Sequence, residues 1–210
     1  MTAGEATFDE IQVTLKKTAA ALKHAEVDFL LSGGVACWAR GGPASAHDVD
    51  YMVRPDHAER ALDALVEAGL EPERPPEEWL LKAWDGNVLV DLIYHPMGLT
   101  VDDALFERSD NLDVLGVTIP VMQVEDVLTA KLLAMHEHYL DYEPLLDIAR
   151  SVREQIDWDA LRERTSESPY ARAFFVITAG LGISDEAPGE PVQPGGLAPE
   201  GRRAVERSPS

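Results

Sequence analysis

The chain is short of cysteine, of bases and of long apolar runs, and each shortage removes a class of protein. One cysteine, Cys37, in 210 residues rules out an intramolecular disulfide and fits a reducing, cytoplasmic setting. Cys37 stands alone in an apolar helical segment, where a thiol acts as a small packing residue. No apolar stretch approaches the roughly 20 residues that span a bilayer, so no membrane span is expected. Residues 1–10 carry acids but neither a basic cluster nor an apolar core, and do not read as a signal peptide. Lysine and arginine number 18 against 38 aspartates and glutamates, a formal net charge of −20. A field of that sign disfavours non-specific binding to nucleic acid and favours divalent cations and cationic small molecules. What is present, 45% hydrophobic and 27% charged residues, is the composition of a globular protein.

Periodicity divides the chain. Phe8, Ile11, Leu15, Ala19 and Leu22 recur at helical spacing, predicting an amphipathic helix over 7–25. Val27 to Leu31 reads as a short strand running into Ser32-Gly33-Gly34. Val35 to Arg40 reads as a helix stopped by Gly41-Gly42-Pro43. Asp48 to Val53 is a second strand, residues 56–69 a second amphipathic helix, and the proline-rich Glu71 to Pro76 a loop. Trp79–Trp84 and Val88–Tyr94 read as strands joined by a tight Asp85-Gly86 turn, and Val114–Ile119 as a smaller hairpin. From Val124 onward the pattern is helical: 124–139, 143–155, 158–166 and 169–180. The expected class is α+β: a mixed sheet with flanking helices over residues 1–123 and a helical domain over 124–183. The Pro-, Gly- and Glu-rich tail, 184–210, has too little apolar surface to offset ordering entropy and is expected to be disordered.

Residues i and i+2 of a strand share a face, so Asp48 and Asp50 present two carboxylates side by side, with Val49 and Tyr51 opposite. Like charges that close are unfavourable unless a cation bridges them, and a hard ion such as Mg²⁺ takes oxygen ligands. Asp91, in the apolar run Val88-Leu89-Val90-Asp91-Leu92-Ile93, is a third carboxylate where charge is costly unless paired or ligating. Upstream, the Ser32-Gly33-Gly34 turn opens a helix, where backbone N–H groups and the positive dipole end suit a phosphate.

That order of apolar strand, Ser-Gly-Gly, helix, Asp-Val-Asp, helix, hairpin and later Asp resembles the DNA polymerase β-type nucleotidyltransferase superfamily. It is most similar to the small bacterial members: minimal, antibiotic and toxin-type nucleotidyltransferases. The match covers about residues 27–95. The segment Val124–Ala134 around Lys131, and Leu140-Asp141 through Leu146-Asp147-Ile148, resemble the family's helical lysine segment and the acidic motif that follows it. The resemblance implies that Ser32, Gly33 and Gly34 bind the β- and γ-phosphates of an NTP, ATP foremost, with Lys131 reaching the triphosphate. It implies that Asp48, Asp50 and Asp91 hold two Mg²⁺ ions and that Asp91 accepts the proton of an acceptor hydroxyl. Transfer of a nucleoside monophosphate with release of pyrophosphate would follow.

The acceptor is open. An aminoglycoside-like cation fits the charge, a lincosamide-like hydroxyl compound is a second choice, and tRNA or protein fits less well. The sequence departs from the family just before Asp48, where Pro43-Ala44-Ser45-Ala46-His47 has no basic residue of the usual kind. Either Arg40 takes that role, or Lys131 and the backbone do. His136 and His138, two apart on an expected helix, make a poor metal pair. Trp79 and Trp84 are packing or stacking candidates, and Tyr139, Tyr142 and Glu143 candidates for the cleft border. The rival to an enzyme is a non-catalytic antitoxin or binding module on the same fold.

Overall fold

The structure, a computed structural model, describes residues 6–44 and 48–185, so Ser45, His47 and the tail beyond Asp185 lie outside the described residues. Helix α1, Phe8–His24, begins at Thr7, whose hydroxyl accepts from the Glu10 N–H while the Glu10 carboxylate receives the Thr7 N–H. This reciprocal cap satisfies two donors that a helix start leaves orphaned. Strand β1, Phe29–Ser32, runs into α2, Gly33–Ala39. Strand β2 is Asp48–Val53, and α3 is Ala58–Glu67 after a 3₁₀ turn at Pro55–His57. Strands β3, Glu71–Glu73, β4, Leu80–Asp85, and β5, Val88–Ile93, follow. Helix α4, Asp103–Glu107, then precedes the hairpin of β6, Asp110–Val114, and β7, Val117–Val121.

The strands form one mixed seven-stranded sheet in the order β3-β4-β5-β2-β1-β7-β6. Strand β2 runs antiparallel to β1 and parallel to β5. Burial alternates along β5, with Val88, Val90 and Leu92 buried and Leu89, Asp91 and Ile93 partly exposed. One face is therefore packed and the other open. Helices α1 and α3 cover the packed face of β2, β4 and β5. Tyr51, fully buried there, lies 2.9 Å from the Thr18 hydroxyl of α1 and edge-on to Phe29, so its polar tip is satisfied inside the core.

The rest is helical: α5, Val124–Leu133, α6, Glu143–Val152, α7, Trp158–Arg164, and α8, Pro169–Gly180. Helix α5 packs on α2 and on α7 and α8, and a single cluster of buried residues runs from Ile11 to Ile183. Asp126 of α5, 1% exposed, is paired by Arg108 at 3.1 Å and by Arg164. Buried charge persists because both guanidinium groups meet it.

The mixed α+β architecture expected from periodicity is the one observed, with local corrections. The proline-rich loop contains β3, whose edge position accommodates Pro72. Helix α4 is too short, at five residues, for its periodicity to mark it in the sequence. The hairpin turn is Gly86-Asn87, with Asp85 the last residue of β4 opposite Val88. Gly86, at φ 63°, supplies the left-handed position such a turn needs. Helix α5 ends at Leu133, well short of residue 139; His136 and Tyr139 instead exchange backbone hydrogen bonds across a turn.

Candidate functional site

The site grows from sheet register. Ser32 on β1 lies opposite Asp50 on β2, Asp50 opposite Asp91 on β5, and Asp91 opposite Lys82 on β4. Residues in one row across a sheet share a face, and Asp48, two residues before Asp50, joins the same side. The structure brings Asp48, Asp50 and Asp91 together, with one carboxylate oxygen of each within 4.8 Å of the others.

Charge repulsion and burial act on the cluster together. Burial, then the neighbouring Asp48 and more weakly Asp91, push the Asp50 carboxyl up to about 8, against the opposing pull of Lys131 and Lys82. Burial likewise raises Asp91, while Lys82 pulls the other way. The Lys82 Nζ stands 3.3 Å from Asp91 Oδ1, close enough for an ion pair but not aligned as a hydrogen bond; that buried oxygen has no hydrogen-bond partner. A set of three carboxylates, one with an unsatisfied buried oxygen, is the donor chemistry of a hard divalent cation such as Mg²⁺ or Mn²⁺. The residues fit a metal.

Gly33 packs against this cluster. It has φ +62°, and a Cβ built on it would fall 1.7 Å from Asp50 Oδ2. Only glycine admits both the left-handed backbone and the approach of the carboxylate. Ser32, the residue before α2, is 2% exposed and makes no capping bond with its side chain. Gly34 follows in the first turn of α2.

Beside the carboxylates opens a cavity of about 680 Å³ between the open sheet face and α5. Ser32, Gly33, Asp50 and Lys131 form its polar end, and Met52, Trp79, Ile93, Met97, Val127 and Ala130 much of the rest. His95 and His136 also line it. Gly98, at φ +70°, lets the loop after β5 touch α5, since a Cβ there would lie 2.1 Å from Leu133 Cδ1. Trp79 is 44% exposed and Met97 65%.

Several candidates fall elsewhere. Arg40 is not available for phosphate: its Nε donates to the Met122 carbonyl, one terminal nitrogen to Val121 and the other to Asp110. With its side chain 8% exposed, it clamps the end of β7 to α2. Lys131, partly buried, is the sequence-derived base that faces the cavity. Asp147 is exposed and pairs with Arg150 one turn along α6. Tyr142 donates to the Tyr170 carbonyl, and Tyr139, Tyr142 and Glu143 are not among the cavity walls. Trp84 donates to Glu73 on the edge strand. His136 and His138 are on a turn, not a helix, with ring centroids 6.3 Å apart. Cys37 is buried, and burial pushes its thiol up to about 12, so it remains an inert packing group. Lys82, His95 and Met97 were missed; the correct turn register would have revealed Lys82.

A mixed sheet bearing this acidic row, entered through a Ser-Gly-Gly turn, is a nucleotidyltransferase architecture. The chain belongs to the family described as uncharacterised nucleotidyltransferase, whose sequence model matches residues 11–180. No curated protein sequence matches it significantly. Solved structures share the fold. The ANT(2")-Ia complex with adenylyl-2"-tobramycin is 14% identical over 78% of this chain and 98% of its own, with a TM-score of 0.54. An antigenic nucleotidyltransferase-like protein from Paracoccidioides brasiliensis is 17% identical over 88% and 97%, with a TM-score of 0.54. The lincosamide antibiotic adenylyltransferase LnuA, bound to lincomycin, is 15% identical over 73% and 100%, with a TM-score of 0.50.

Proposed function

We propose that this protein transfers a nucleoside monophosphate from an NTP, ATP foremost, to a hydroxyl of a small molecule. The observation that carries the reading is the convergence of Asp48, Asp50 and Asp91, with Asp50 opening onto a cavity that also holds Ser32, Gly33 and Lys131. The three carboxylates would hold Mg²⁺, which when bound supplies charge for the triphosphate and lowers the pKa of an attached hydroxyl. The N–H groups of Gly33 and Gly34, the Ser32 hydroxyl and Lys131 bind the β- and γ-phosphates. Asp91, its basicity raised by burial, takes the acceptor's proton. The acceptor oxygen then bonds to the α-phosphorus, the bond from that phosphorus to the β-phosphate oxygen breaks, and pyrophosphate leaves.

The walls bear on the acceptor. Among the described residues Asp50 is the one carboxylate lining the cavity, whereas Met52, Trp79, Ile93, Pro96 and Met97 are apolar or aromatic. This favours a hydroxyl compound with an apolar or ring surface over the polycation that bulk charge suggests. The helical segment from residue 124 onward supplies one wall through α5 and acts as a second lobe.

The test incubates the protein with each labelled NTP, Mg²⁺ or Mn²⁺, and panels of lincosamides, aminoglycosides, nucleosides and tRNA. Labelled acceptor and pyrophosphate are the expected products, lost in Asp48→Ala and Asp50→Asn. Transfer that survives both substitutions sinks the mechanism. Nucleotide binding without any turnover across the panel would favour a non-catalytic binding module.

A further inference from the structure

The hairpin that delivers Asp91 also delivers a cation to it. Lys82 and Asp91 are directly opposed across β4 and β5, so the lysine accompanies the carboxylate in every state that keeps the sheet intact. The Lys82 side chain is 24% exposed and that of Asp91 14%, so the pair is partly shielded from water. Lys82 has no other carboxylate within ion-pairing distance among the described residues. Two lysines, Lys82 and Lys131, also oppose the negative charge at Asp50. Once ion binding has displaced the Asp50 proton, three carboxylates and two ammonium groups leave a formal balance of one negative charge. One divalent ion would overcome that balance, and a second would join a cluster already positive.

We propose that Lys82 is a positioning residue whose charge, paired with Asp91, keeps the nucleotide-free centre to a single divalent ion. Asp48, Asp50 and Asp91 would hold that ion. The inference rests on the metal site assigned under Proposed function and adds the residue that sets its stoichiometry.

Mn²⁺ titration of the full chain without nucleotide, followed by the loss of free-ion electron paramagnetic resonance signal and by calorimetry, reads the stoichiometry directly. The wild type is expected to bind one ion per chain, Lys82→Met two, and Lys82→Arg one. Circular dichroism melting of each variant separates a folding defect from a change in ion number, since a purely structural lysine would not alter the count. Two ions in the wild type overturn the role of Lys82 while leaving the metal site standing. One ion in both the wild type and Lys82→Met also overturns it. No ion in any of the three proteins overturns the metal site itself.

Discussion

Asp50→Asn should make the metal-free protein more stable, not less. Asp50 sits where burial and Asp48 raise its carboxyl from 3.8 to about 8. An acid whose folded pKa exceeds its unfolded value binds its proton more tightly when folded. Stability therefore falls as pH climbs between those two values and levels off above the higher one. At pH 7 roughly three units of that interval have been crossed, a ceiling of about 4 kcal/mol at 1.4 kcal/mol per unit. Relaxation around a partly exposed carboxylate leaves roughly half, about 2 kcal/mol. In a chain of this length that corresponds to a rise of about 4–8 °C in Tm.

The assay is thermal unfolding of wild type and variant in chelator across pH 4 to 9. The gap should be near zero at about pH 4, where both side chains are neutral, and widen toward about pH 8. Adding Mg²⁺ or Mn²⁺ should raise the wild type alone and close or reverse the gap. Metal affinity of the wild type should itself climb with pH toward about 8, because binding displaces the Asp50 proton. A variant less stable than wild type at pH 8 in chelator, or a gap that ignores pH, would refute the reasoning.

Gly33→Ala places a methyl on Asp50 Oδ2 and forces a left-handed φ on alanine, so a loss of about 1–3 kcal/mol is expected with at least a tenfold drop in Mn²⁺ affinity. Calorimetry showing unchanged metal binding would argue against the close packing. Arg40→Ala removes three hydrogen bonds from a nearly enclosed guanidinium and should destabilise by about 2–4 kcal/mol, with NTP affinity unchanged. Weakened NTP binding in a folded variant would return Arg40 to the phosphate site. Trp79→Ala, at a half-exposed position on the cavity wall, should leave Tm within about 2 °C and raise the acceptor KM about tenfold.

How much of this was legible depends on how local the signal is. Strand β2 falls on Asp48–Val53 as alternation predicted, because one strand's period fixes both the face and the pairing of Asp48 with Asp50. The link to Asp91 is longer-range, through the parallel pairing of β2 with β5, which no local pattern encodes. Lys82 was lost to one register error. A turn centred on Asp85-Gly86 would place Lys82 opposite Leu89; the actual Gly86-Asn87 turn places it opposite Asp91. Arg40 illustrates a different limit. Its three acceptors lie about 70 to 82 residues along the chain, so its occupation could not be read from neighbours.

The net charge of −20 and the cavity walls point to different acceptors, and distance decides between them. At physiological ionic strength charges are screened over about 8 Å, so acids on the outer surface contribute little inside a cavity walled by α5 and the sheet. Bulk charge governs encounter and repels polyanions; contact with Trp79, Met97 and Ile93 governs fit. A polycationic acceptor steered by surface acids would lose kcat/KM steeply between about 50 and 300 mM salt. An apolar, ring-bearing acceptor held by the walls should show a change of less than about threefold over that range. A steep salt dependence that persists in Trp79→Ala would reassign recognition from the cavity walls to the acidic surface.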